Sequence, residues 1–390
     1  MQYRPFSYFL WKCLYSKHKR IHMKIIPLVA SCLVLISIAS KAQVTFPADG
    51  NKKASVSEFI GITKVKINYS RPGVNGREGQ IWGNLVHYGF KDLYNGTSKS
   101  APWRAGANEN TTIEFTSDVF IEDQALEKGK YGFFIAMGEE KATLIFSKYN
   151  NAWGSFYYDQ KDDALRVEVP VLKQDESVER LKYEFGDQTQ NSAVISMQWE
   201  KVKVPFKVSV DLQKVQIESF QREINSGAFY VYWQNMQRAA NYCLVHDINL
   251  EEGLSWAYRS VYWYFGESNF LTLSTYAGLL EKNDRAHEAD SILQIAIPMA
   301  TEMQLLSYGN DLNRMKQHEK ALEIFKKNYE KNPDAVPAHL GMAFGYYYTG
   351  DVKKALKFCD SAKEKTEIKD WHIYIDGIIK KIKAGEEFIY

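Results

Sequence analysis

The chain of 390 residues is 45% hydrophobic, 25% charged and 14% aromatic, which supplies sizeable cores and excludes wholesale disorder. Its formal charge of +2 is set by residues 1–42, which hold seven of the 49 Lys and Arg and no Asp or Glu; the rest carries 42 basic against 47 acidic residues, net −5. A mature chain with that balance lacks the electrostatic footing for nucleic-acid binding, so no nucleic-acid partner is expected.

Residues 1–42 are expected to be an upstream extension and a signal peptide. From Met23, taken as the true start, Lys24 precedes a mostly apolar run from Ile25 to Ala39. Ser40 and Ala42 then stand at −3 and −1 of a cut before Gln43, the layout of a secretory leader. The fifteen-residue run falls short of the ~20 residues of a membrane span, so no transmembrane span is expected in the mature chain. Val29-Ala30-Ser31-Cys32 resembles a lipoprotein box, but eight mainly apolar residues follow Cys32, so a lipid anchor there is disfavoured. The expected location is extracytoplasmic, periplasmic or secreted, after cleavage near Ala42. Only Cys243 and Cys359 then remain, both on apolar helix faces, and two buried free thiols are expected.

Residues 43–211 show period two. Val65, Ile67 and Tyr69 alternate with Lys66, Asn68 and Ser70, and Leu181-Lys-Tyr183-Glu-Phe185 repeats the pattern. Tyr131 to Met137 and Leu144 to Phe146 are apolar enough for central strands. Turn residues separate them at Arg71-Pro72-Gly73, Asn95-Gly96, Lys128-Gly129-Lys130 and Asn150-Asn151. Nine or ten short strands at hairpin spacing predict an antiparallel β-sandwich, with Gly73 to Gly79 as a hairpin loop.

From residue 212 to 390 the period is 3.6. Phe220 and Ile224, then Trp233, Met236, Ala240 and Leu244, line the first two helices, and Asn249 with Glu252 predicts a capping-box start for the next. On a tetratricopeptide frame, Leu305, Tyr308, Gly309 and Leu312 fall on one helix, Ala321 and Phe325 on its partner, and Pro333 closes the unit. The second-helix small residues Gly253, Ala289, Ala321 and Ala355 recur at 36, 32 and 34 residues, near the ~34 of that repeat. The predicted architecture is therefore a β-sandwich followed by a short tetratricopeptide-like α-solenoid, with a capping helix from Lys369 to Lys383. Aromatic residues thicken at 230–233 and 256–265, chiefly as core, with a few available to line a groove. Such stacks present concave faces to peptides or proteins, so a protein partner is expected on the helical half.

The order of motifs in the β half resembles the secreted bacterial domain-of-unknown-function family 2911 over residues 50–210. The carrying residues are Tyr69-Ser-Arg71-Pro72, Ile81-Trp-Gly83, Trp103-Arg104-Ala-Gly106-Ala-Asn108-Glu109, Gly129-Lys-Tyr131-Gly-Phe133, Trp153-Gly154 and Arg166-Val167. The resemblance implies a signal peptide and, as in some members, helices of tetratricopeptide type after the β domain; it implies no activity. Two departures stand out. An insertion from Phe90 to Pro102 separates the Tyr-Gly turn from Trp103-Arg104, and His87 stands where the family favours Pro.

Within the Trp-Arg run, Arg104 offers a planar fork for a carboxylate or phosphate, Asn108 a donor and acceptor, Glu109 an acceptor, and Trp103 a flat face, with Arg71 and Tyr69 as neighbours. These six residues form the candidate ligand site, for a small molecule or a glycan. The favoured reading is structural. Arg104 pairs with Glu109 or caps carbonyls, Asn108 holds the turn, Trp103 fills the sandwich end, and Gly106 takes the unusual dihedral. No catalytic residue, metal site or cofactor is assigned: Glu109 has no evident partner acid or base, and the histidines lack ligand spacing. The expected function is a non-enzymatic binding or scaffolding protein of the cell envelope, with the β-domain site, binding or enzymatic, as the alternative.

Overall fold

The computed structural model describes residues 50–226 and 232–387. The leader, the start at Met23, Cys32 and Tyr230 lie outside the described residues.

Among the described residues ten strands form two antiparallel sheets. In chain order they are β1 (Lys52–Ile60), β2 (Thr63–Arg71), β3 (Thr111–Phe115), β4 (Val119–Ile121), β5 (Gln124–Leu126), β6 (Gly129–Ala136), β7 (Lys141–Ser147), β8 (Asp163–Pro170), β9 (Leu172–Gly186) and β10 (Ser192–Ser209). One sheet has the order β1-β2-β3-β6-β7-β8 and the other β5-β4-β10-β9. Alternation decides which face is buried: on β2, Val65, Ile67 and Tyr69 point into the sandwich while Lys64 stays in water. The two inner faces meet over Phe133, Phe146 and Phe206. β6 is buried on both sides, because Phe134 and Ala136 on its outer face pack with Ile145 and Tyr158 in a second small core. That is why Tyr131 to Met137 reads as a continuous apolar run rather than an alternating one.

The expected hairpin at Gly73–Gly79 is not present. Residues 72–110 instead form one long connection from β2 to β3 that crosses the sandwich end through isolated bridges, Gly73 to Arg180, Trp82 to Val86, Lys91 to Ala101 and Trp103 to Ile135. Hairpin geometry needs two pairable runs, and here the partners of these residues lie far away in sequence. A bulge in β10 puts Glu200 at φ 52 and turns its buried carboxylate onto the Trp82 indole nitrogen (3.2 Å) and the Gly79 amide (3.1 Å), fastening this connection.

Ten helices follow among the described residues: α1 (Leu212–Asn225), α2 (Trp233–His246), α3 (Leu250–Tyr262), α4 (Phe270–Lys282), α5 (Ala286–Ala296), α6 (Glu302–Arg314), α7 (His318–Lys331), α8 (Val336–Tyr348), α9 (Val352–Glu364) and α10 (Lys369–Ala384). Asp211 caps α1 through the Lys214 amide (3.0 Å). The capping box expected at Asn249 is absent: Asn249 sits left-handed at φ 49, its side chain makes no cap bond, and its amide nitrogen donates to Glu252 instead (2.8 Å). Capping boxes occur at Asn269 with Thr272 and at Thr301 with Gln304.

From α2 onward the helices pair as antiparallel hairpins, α2/α3, α4/α5, α6/α7 and α8/α9. The small residues of the repeat sit where helices cross. Ala289, Ala321 and Ala355 are buried, and a Cβ on Gly253 would stand 2.7 Å from the Cβ of Cys243. The helical core and the sandwich core share no residue. Cys243 and Cys359 are buried free thiols in the former.

Candidate functional site

The run Trp103 to Asn110 is a loop in which Trp103 and Arg104 donate back to the loop's own carbonyls. Ala105, not Gly106, takes the left-handed conformation (φ 51), as does Asn108 (φ 58). The Ala105 carbonyl accepts from Thr111 Oγ1 (2.8 Å) and from the Tyr183 hydroxyl (2.7 Å), which holds the strained residue in place. Gly106 serves close approach instead: a Cβ there would lie 2.7 Å from Thr111 Oγ1 and 3.1 Å from the Ser70 carbonyl. Trp103 is buried, donates its indole N–H to the Gly106 carbonyl (3.0 Å), stacks on Trp199 and meets Trp82 edge to face. The sandwich end is thus closed by three indoles.

The six candidate residues do not converge. Arg104 does not pair with Glu109; its Nη1 donates to the Asn108 carbonyl (2.9 Å) and its guanidinium lies over the Phe156 ring, with burial lowering its pKa. Arg71 turns toward the other sheet, where its Nε donates to the Leu181 carbonyl (2.8 Å). The Asn108 side chain accepts from the Asn51 amide (3.3 Å), and the Tyr69 ring packs edge to face on Tyr183. Glu109 pairs with Lys53 (2.7 Å), and that hydrogen bond foremost holds its carboxyl below the usual range.

Glu109 and Tyr69, the latter with its ring turned inward, border one common feature, a polar cleft of about 550 Å³ on the outer face of the six-stranded sheet. Its floor is small and hydroxylated: Ser55 on β1, Asn68 and Ser70 on β2, and Thr112 on β3. Ser70, Thr112 and Asn110 are buried although they face outward. Gly132 of β6 lets Tyr149 and Asn110 pack close onto the sheet beside the cleft; a Cβ there would meet the Tyr149 carbonyl at 2.2 Å and the Asn110 amide at 2.6 Å. Sequence reasoning named two of these residues and missed Lys53, Ser55 and Thr112, because only pairing register brings them together. Ser55 lies opposite Asn68, and Asn68 opposite Thr112.

A second polar cluster lies by the insertion. The Tyr158 hydroxyl donates to Asp163 Oδ2 (2.6 Å), which also accepts from Arg166 Nε (2.6 Å), and the guanidinium stacks on Phe90 of the inserted segment. Burial raises the pKa of Asp163 and pushes that of Tyr158 up.

On the helical half, a groove of about 270 Å³ opens between α2, α4 and α6. α2 packs closely on α4, and α6 on α8, whereas α4 and α6 approach each other less closely, so the groove lies where they part. Leu244, Leu271, Leu312 and Met315 give it an apolar lining, with Val245 and Leu271 about half exposed. Its rim carries both charges: Lys282 pairs with Asp247 (2.7 Å), Glu281 with Lys320, and Asp311 with Arg314. Among the described residues no group of His, Cys, Asp and Glu could hold a metal ion, and no helix is long and apolar enough to cross a membrane.

Fold and grooves together define an antiparallel β-sandwich carrying a tetratricopeptide-like helical array. Residues 51–208 match the model of a family described as a protein of unknown function, DUF2911. No curated protein matches the chain. Among solved structures the chain is similar to YrrB, a TPR protein with an unusual peptide-binding site, at 16% identity over 42% of this chain and 86% of that one (TM-score 0.25). It is similar to MamA from residue 41 to its end, from Desulfovibrio magneticus RS-1, at 16% identity over 40% and 86% (TM-score 0.24). A tetratricopeptide repeat protein from Parabacteroides merdae ATCC 43184 matches at 15% identity over 45% and 73% (TM-score 0.26).

Proposed function

We propose that this chain is a non-enzymatic binding or scaffolding protein that takes a peptide or protein partner into the groove between α2, α4 and α6, and that it works outside the cytoplasm once its leader is removed near Ala42. The observation that carries the reading is the pair of half-exposed aliphatics, Val245 and Leu271, in an apolar groove with a rim of both signs. Apolar surface in a concavity gains free energy on covering, at about 25 cal/mol per Å², and the rim charges fix the register of whatever covers it. In the β half the Glu109 carboxylate is engaged by Lys53 and Ser70, which favours a holding role for it over an acid–base one.

A photo-reactive amino acid placed at position 245 or 271 of the full chain, in the producing cell, tests this. Discrete adducts at both positions, and none from Lys357 on α9, support it. Equal labelling at all three, or none at all, overturns it. Fractionation of the same cells reports the location: the chain found only in the cytosolic fraction at full length would refute export.

A further inference from the structure

An exposed indole follows Ala152, a lining residue of the polar cleft on the outer sheet face. Trp153 is 61% exposed, whereas Trp82, Trp103 and Trp199 of the same domain pack against one another. It sits across an isolated antiparallel bridge from Glu109. The Asn110 amide donates to the Ala152 carbonyl (3.1 Å) and the Gly154 amide to the Asn108 carbonyl (3.0 Å). Those two bonds bracket Glu109 and Trp153, which makes them a non-hydrogen-bonded pair, the geometry that puts opposing side chains on one face with Cβ atoms about 5 Å apart. Glu109 lines the cleft, so the indole stands on the same side.

The structure assigns this cleft, independently of the helical groove, as a binding site for a neutral pyranose ring, a sugar unit of a glycan. An uncharged ring with vicinal hydroxyls needs a carboxylate to accept two O–H groups, ammonium and amide donors for the ring oxygens, and an aromatic face for its C–H side. Glu109, Lys53, Asn68, Thr112 and Trp153 supply that set. Glu109 is held ionised by Lys53, so it accepts and does not donate. The same carboxylate repels a phosphate or uronate and neutralises Lys53, while Lys130 in the cleft lining adds a further ammonium donor for a hydroxylated ligand. The Ser55, Ser70 and Thr112 floor bears no bulky apolar side chain, which leaves room for hydroxyls and none for a hydrophobic anchor.

Saturation-transfer NMR on the full chain with the methyl glycosides of glucose, galactose, mannose and N-acetylglucosamine tests the proposal, with methyl glucuronide as the charged control. At least one neutral glycoside is expected to bind, more tightly than the glucuronide. Trp153→Ala should weaken it about tenfold, Trp153→Phe should restore most of that loss, and Ser55→Trp, which fills the cleft from an exposed strand position, should abolish binding. Unchanged melting confirms that Trp153→Ala and Ser55→Trp leave the fold intact. No binding by any neutral glycoside, preference for the glucuronide, or undiminished binding by Ser55→Trp would overturn it.

Discussion

The Phe325 ring is the most demanding packing element of the helical half. It is fully buried on α7 and wedges between glycines of α6 and α8. A Cβ added to Gly309 would stand 2.2, 2.5 and 2.8 Å from three ring carbons, and one added to Gly341 would stand 2.6 Å from the ring. Non-bonded carbons rest at about 3.5–4.0 Å, so Gly309→Ala forces the ring back by about 1.3 Å. Gly341 and Gly345 on α8 leave it nowhere to go. Overpacking costs about 1–3 kcal/mol, against which Ala gains about 1 kcal/mol of helix propensity, so Gly309→Ala should lose about 1–2 kcal/mol. Phe325→Leu alone should lose about 1–2 kcal/mol through the space it opens. In the double variant the Ala methyl occupies that space, and the loss should be smaller than the sum by at least about 1 kcal/mol. Urea unfolding followed by the helical signal at 222 nm measures all three. Additivity within about 0.5 kcal/mol would refute the placement of Phe325 between the two helices.

Ala105→Val puts a branched side chain at a buried left-handed position and should cost about 2–3 kcal/mol, while Ala105→Gly stays within about 1 kcal/mol of the parent; tryptophan fluorescence against denaturant reads both, and a tolerated Val would contradict the geometry. Tyr158→Phe removes a donor from the buried Asp163 carboxylate and should cost about 1–3 kcal/mol. Because the folded-state pKa of Asp163 is raised, its contribution is fully present below the ordinary carboxylate pKa and is lost as pH rises through the raised value. Tyr158→Phe raises that value further, so its penalty should grow as pH rises above the ordinary carboxylate pKa in thermal melts; a pH-independent penalty would refute the coupling. Burial pushes the thiols of Cys243 and Cys359 up to about 11 and about 12, so at neutral pH both should resist disulfide reagents and react only as the helices unfold, with site-resolved mass spectrometry as the readout.

Periodicity made the two architectures legible because each element's buried face repeats at its own period. Alternation on β2 and the recurrence of Ala289, Ala321 and Ala355 both reflect which side of an element must shed water. The connection at 72–110 was less legible, since Trp82, Glu200 and Gly79 meet only after β10 bulges at Glu200. Within the Trp-Arg run the residue types suggested a clamp, but backbone direction decides where a side chain goes. Ala105 and Asn108 take positive φ, and that turns Arg104 back onto its own loop.

Sequence alone determined that sheet gives way to stacked helix pairs, because local hydrophobic order records the surface each segment buries. Tertiary structure alone decided which polar residues share a cleft: Ser55, Asn68 and Thr112 are neighbours by strand register, and register is set by the packing of whole sheets rather than by any short run of residues.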